Sequence, residues 1–152
     1  MKRSARVFTV VIAIVAAAAI AAGCGNGEQN DYVDQVNSIQ QDIADSATQA
    51  GSSAPSNPQE AADVGHQIAD AFDQGAQDLE AIDPPEEVAD LHQQLTDELS
   101  SVAEDINKAA DTFETGNAQQ AAQAAVELQT SVTEAQTKVN SLIDQINSEF
   151  GN

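Results

Sequence analysis

Apolar residues recur every three or four positions through four separate stretches of this 152-residue chain, and that spacing admits few folds. A step of three or four returns a side chain to one face of an α-helix, whereas a strand requires alternation by two. The first stripe is Tyr32, Val36, Ile39, Ile43, Ala47 and Ala50, and the second is Ala61, Gly65, Ile68, Phe72, Gly75 or Ala76, Leu79 and Ile82. Val88, Leu91, Leu95, Leu99, Val102, Ile106, Ala109 and Phe113 make the third. The fourth runs Ala121, Ala125, Leu128, Val132, Ala135, Val139, Leu142, Ile146 and Phe150.

The breaks between stripes are as legible as the stripes. Residues 51–57, Gly-Ser-Ser-Ala-Pro-Ser-Asn, form a linker that neither propagates a helix nor needs burial. Asn57 then caps a helix with Pro58 at its first position, and Glu60 completes a capping-box pattern. Asp83-Pro84-Pro85-Glu86 ends the second helix and opens the third, with Asp83 as the expected cap. At Thr115-Gly116-Asn117, Gly116 suits a left-handed helix end, while Asn117 caps the fourth helix with Gln120 three residues on. Short connections favour antiparallel neighbours. The fold class is therefore all-α, an antiparallel up-down-up-down four-helix bundle; the alternative is an extended helical hairpin or coiled coil that pairs with a second chain.

The N-terminus has a different grammar. Lys2, Arg3 and Arg6 precede an apolar run from Val7 to Ala22, closed by Ala21-Ala22-Gly23 and then the sole cysteine, Cys24. Those 16 residues fall short of the roughly 20 that a spanning helix needs, and the order of basic, apolar and small residues is that of a secretory signal. With a cysteine at the first mature position, the box resembles the bacterial lipobox, which implies diacylglycerol on the Cys24 thiol and cleavage just before it. The expected organisation is a signal peptide at 1–23, a lipidated cysteine and flexible tether at 24–31, and an acidic helical domain at 32–152. The membrane is then a partner through the lipid on Cys24, at the extracytoplasmic face of the cell membrane.

This arrangement, together with Leu79-Glu80-Ala81-Ile82-Asp83-Pro84-Pro85 ahead of a long helix and the Gly116-Asn117 reversal, resembles small uncharacterised lipoproteins common in high-GC Gram-positive bacteria. The resemblance implies a lipid anchor and an acidic helical domain, and it brings no established activity.

Charge and residue chemistry narrow the function. Removing residues 1–23 takes three of the five basic residues and none of the 25 acidic ones, so the net charge goes from −20 to −23. Only Lys108 and Lys138 remain, which excludes nucleic acid as a partner. Without a second cysteine no intramolecular disulfide can form. No nucleophile stands in a recognisable pairing with a base, and an enzyme is not expected. The imidazoles are His66 and His92. Asp63 and Asp70 fall on the His66 face at i−3 and i+4, making His66, Asp63 and Asp70 the candidate metal set. A solvated histidine among acids is the preferred reading of it, with no metal and no cofactor, and His92 is expected at the flank of its helix. The function expected is a membrane-anchored lipoprotein with a non-catalytic helical interaction or spacer module, which an envelope protein would contact. The alternative is a ligand- or cation-binding, sensor-like accessory lipoprotein, its ligand lodged beside Gly65, Gly75 and the alanine-rich layer. Oligomeric state is left open.

Overall fold

A computed structural model describes Ile20 and residues 27–151 of the chain. Residues 1–19 and 21–26, which hold most of the expected signal peptide, Cys24 and the start of the expected tether, and Asn152 lie outside the described residues. Among the described residues four α-helices follow one another: α1 Gly27–Ala50, α2 Pro58–Glu80, α3 Ala89–Thr115 and α4 Ala118–Glu149. A 3-10 turn, Glu86–Val88, leads into α3. At 1.5 Å per residue the 32 residues of α4 extend about 48 Å.

Helix ends follow the local chemistry, with two departures. Asn57 accepts from the Glu60 N–H at 2.9 Å, and the Glu60 carboxylate reaches back to the Ser56 N–H at 2.7 Å, so the α2 cap spans one residue more than a simple capping box. Asn117 and Gln120 make the reciprocal capping box at α4. Asp83, expected to cap the third helix, does not: α3 and its 3-10 turn begin at Pro85 and Val88 without a side-chain cap. The cause is the proline pair, since Pro85 disfavours helical backbone at Pro84 and pushes the helix start downstream. Gly116 likewise departs from the left-handed conformation expected of it. Its φ of −80° and ψ of 159° are extended, and glycine is needed there because a Cβ would run into the Thr112 carbonyl. Gly151, with φ 75°, is the residue that takes the left-handed turn after α4.

The first helix starts at Gly27, five residues ahead of the Tyr32 start of its stripe, so residues 27–31 of the expected tether are helical. That extension is held by packing, because Tyr32 and Val33 are both buried and Gln29 donates to Glu87 at 2.8 Å.

Cross-helix contacts establish the direction of each helix. Gln59 meets Glu114 at one end of the α2–α3 pair and the Leu79 carbonyl meets His92 at the other, which makes the pair antiparallel. Asp105 with Ser131 and Glu98 with Lys138 give the same sense to α3 and α4. Tyr32, early in α1, touches His92 at the start of α3 and the Phe150 ring just past the end of α4. The order is therefore up-down-up-down, and the first stripe packs on its own chain, as the bundle requires and the extended-hairpin alternative does not.

The core is built from the four stripes. Val36, Ile43 and Ala47 of α1, Ile68, Phe72 and Leu79 of α2, Leu95, Leu99 and Ile106 of α3, and Leu128, Val132, Val139, Leu142 and Ile146 of α4 are all buried in one cluster. Ile39, Ile82, Leu91 and Phe113 are partly covered at its margin, and Ala124 replaces Ala125 as the buried residue in the first turns of α4. Ile20 also belongs to the cluster, 2 % exposed. Asn37 holds both of its main-chain groups, accepting from the Ile20 N–H at 3.1 Å and donating to its carbonyl at 3.0 Å.

Glycines set the helix spacing. A Cβ at Gly65 would lie 2.9 Å from the Ala110 Cβ, and one at Gly75 would overlap the end of the Ile43 side chain. Ala110 and Ile43 therefore occupy the space beside these two glycines. Gly65→Ala gains up to about 1 kcal/mol of helix propensity but forces apart a contact with no flexible atom to yield, at about 1–3 kcal/mol. Urea unfolding should show a net loss of stability, and a double-mutant cycle with Ala110→Gly should give a coupling of about 1 kcal/mol in the restoring direction. A stabilised Gly65→Ala variant would contradict the close approach.

Candidate functional site

Both imidazoles lie at helix–helix contacts, and the structure gives them opposite employment. His92 is buried, 6 % exposed, where a helix-flank position was expected. Its Nε2 lies 3.0 Å from the Leu79 carbonyl and its Nδ1 lies 3.2 Å from the Tyr32 hydroxyl. A carbonyl only accepts, so Nε2 carries the proton and Nδ1 accepts from Tyr32. Leu79 O also accepts from the Ile82 N–H at 2.9 Å, using its second lone pair at the fraying end of α2. Edge contacts from Tyr32 to the His92 and Phe150 rings, with centroids 5.7 and 5.9 Å apart, close the arrangement. Every hydrogen-bonding atom of this imidazole is occupied by the fold.

His66 faces the other way. Asp63 and Asp70 are exposed positions on its own helix, yet the partners of the ring are on α3. Nδ1 lies 2.9 Å from Asn107 Oδ1, and Nε2 lies 3.6 Å from an Asp111 carboxylate oxygen. Glu114, one turn beyond Asp111, completes a group whose ligand atoms all lie within 4.8 Å of one another. Gln59 donates to Glu114 at 3.2 Å from the start of α2. The Gly65–Ala110 contact sits one residue before His66 and Asp111 on the two helices, and it is what brings these side chains into reach. Sequence reasoning missed Asp111, Glu114, Asn107 and Gln59. The i, i+3 spacing of Asp111 and Glu114 was visible, but the register that places His66 opposite them is a property of packing.

Between α3 and α4 an open cleft of about 240 Å³ is lined by Asp105, Lys108, Ala109, Thr112, Ala124, Glu127, Leu128 and Ser131. That volume is below the usual range of small-molecule pockets. Cys24, the expected lipidation site, lies outside the described residues.

A family model described as a family of unknown function, DUF6376, matches residues 26–148. The chain belongs to that family. The DUF6376 match covers the helical block from one residue before α1 to one residue short of the end of α4, and it includes both histidines. No curated protein and no solved structure matches the chain.

Burial pushes His92 below the ordinary imidazole range, outweighing the Leu79 carbonyl that favours its protonated form. Burial also pushes the Tyr32 phenol up to about 12. The unfolded chain protonates His92 near pH 6.5, and the folded chain does so only at lower pH. Stability is therefore complete above about pH 6.5 and falls as the pH drops below it. At the alkaline end the unfolded phenol ionises near pH 10 and the folded one at about 12, so stability falls again across that interval. Denaturant midpoints between pH 7.5 and 5.5 should decline for the native chain and run flatter in a His92→Gln variant. Equal slopes would remove His92 as the acid-sensitive group.

Proposed function

We propose that the protein is a lipid-anchored, extracytoplasmic lipoprotein whose acidic bundle is a non-catalytic interaction or spacer module. The observation that carries this reading is the apolar run Val7–Ala22, closed by Ala21-Ala22-Gly23 ahead of Cys24, with α1 starting three residues later at Gly27. Diacylglycerol on Cys24 would then sit immediately before the first helical turn, and the bundle would be held at the bilayer by a linker of almost no length. Among the described residues no helix is long and apolar enough to cross a membrane, so on this reading attachment comes from acyl chains, two of which suffice for stable anchoring.

Electrostatics supports attachment through the lipid alone, because an acidic bundle gains nothing from anionic headgroups. Lys108 and Lys138 are the only basic residues after Arg6, and Lys138 is paired with Glu98. The long axis of α4, about 48 Å, gives the module reach from the membrane toward an envelope protein. Cys24→Ser should move the protein from the membrane fraction to the soluble fraction and abolish labelling by a palmitate analogue, while the far-ultraviolet helical signal stays unchanged. Retention in the membrane with undiminished label would overturn the anchor.

A further inference from the structure

We propose that His66, Asp111 and Glu114 form a binding site for one divalent transition-metal ion of the zinc class. The three ligand atoms already lie within 4.8 Å of one another, and they are contributed by two antiparallel helices whose spacing the Gly65–Ala110 contact fixes. Ligands carried on helices locked in this way hold their separation better than ligands on loops.

The orientation of His66 is the argument that distinguishes this group from a patch of acids. Asn107 Oδ1 accepts from Nδ1 at 2.9 Å, which assigns the proton to Nδ1 and turns the lone pair of Nε2 toward the carboxylates. At 3.6 Å the Nε2 to Asp111 separation is too long for a hydrogen bond, and in the neutral ring two electron-rich atoms face each other across it. A cation between them converts that mismatch into coordination. Metal-binding histidines characteristically donate their other ring N–H to an oxygen acceptor, the part that Asn107 plays here. Gln59 orients Glu114 in the same manner, donating to one carboxylate oxygen.

The donor set selects the ion. One imidazole nitrogen and two carboxylates suit zinc and its first-row neighbours, whereas magnesium and calcium prefer oxygen alone. Two carboxylates also match the charge of a divalent ion. His66 and Asp111 keep 36 % and 71 % of their side-chain surface exposed, so water has access to the remaining coordination positions.

The test is calorimetric titration of the full chain in detergent with zinc chloride, in excess magnesium so that diffuse attraction to the acidic surface is saturated. One zinc ion per chain is expected, with chemical-shift changes in the His66 imidazole and none in the His92 imidazole. His66→Ala and Glu114→Gln should each weaken binding at least about tenfold, and Asn107→Leu, which touches no metal, about 10–100-fold. The exposed Glu114→Gln substitution carries the comparison if His66→Ala alters the helical signal. Absence of saturable zinc binding, affinity unchanged in Glu114→Gln, or displacement of zinc by magnesium at equal concentration would each overturn the site.

Discussion

The hydrogen-bond chain from Tyr32 through His92 to Leu79 is the constraint that the rest of the bundle is arranged around. It joins the start of α1, the start of α3 and the end of α2, and the Phe150 ring brings in the end of α4. Three helix ends thus converge on one imidazole. A buried histidine with both nitrogens engaged has a single acceptable tautomer and ring orientation, and the helices that supply its partners lose the freedom to slide. Apolar stripes alone tolerate register shifts of a turn, because one aliphatic contact replaces another at little cost. A directional contact between fixed donors and acceptors does not, and any register that strands the Tyr32 hydroxyl or the His92 Nε2–H in the core carries the penalty of an unmet polar group.

Small residues do the complementary work along the helices. A chain with few large aliphatic residues gains dispersion energy only if its helices approach closely, and Gly65 against Ala110 and Gly75 against Ile43 provide that approach. The same economy explains why these glycines enclose no cavity. It also ties the packing of α2 on α3 to the surface group formed by His66, Asp111 and Glu114, since the backbone separation that suits Gly65 and Ala110 is the separation that lets an imidazole on one helix meet a carboxylate on the other.

The four stripes, the 51–57 linker and the capping at Asn117 were legible because they depend on residues within a few positions of one another. What escaped depends on more distant partners or on competition between local signals. His92 was assigned to a helix flank although Val88, His92, Leu95 and Leu99 make as regular a stripe as one drawn through Leu91; apolar weighting hid a polar residue with a buried partner in α1. Asp83 had the chemistry of a cap and lost to the backbone restriction imposed by Pro85. Asp63 and Asp70 share the His66 face by intrahelical spacing, whereas the contacts of the ring come from Asn107 and Asp111 on the facing helix, which no intrahelical spacing reports.

Asn37 has a grip on Ile20 that does not depend on what residue 20 is, because a side-chain amide that pairs with one N–H and one carbonyl reads main chain alone. The aliphatic side chain adds the burial of about 1.5–3 kcal/mol expected for an isoleucine. On the lipoprotein reading, cleavage ahead of Cys24 takes Ile20 away with the leader. Processing would then do more than expose a new amino terminus: the precursor would be the better-closed form, and the mature bundle would keep Asn37 beside the seat that the leader had filled.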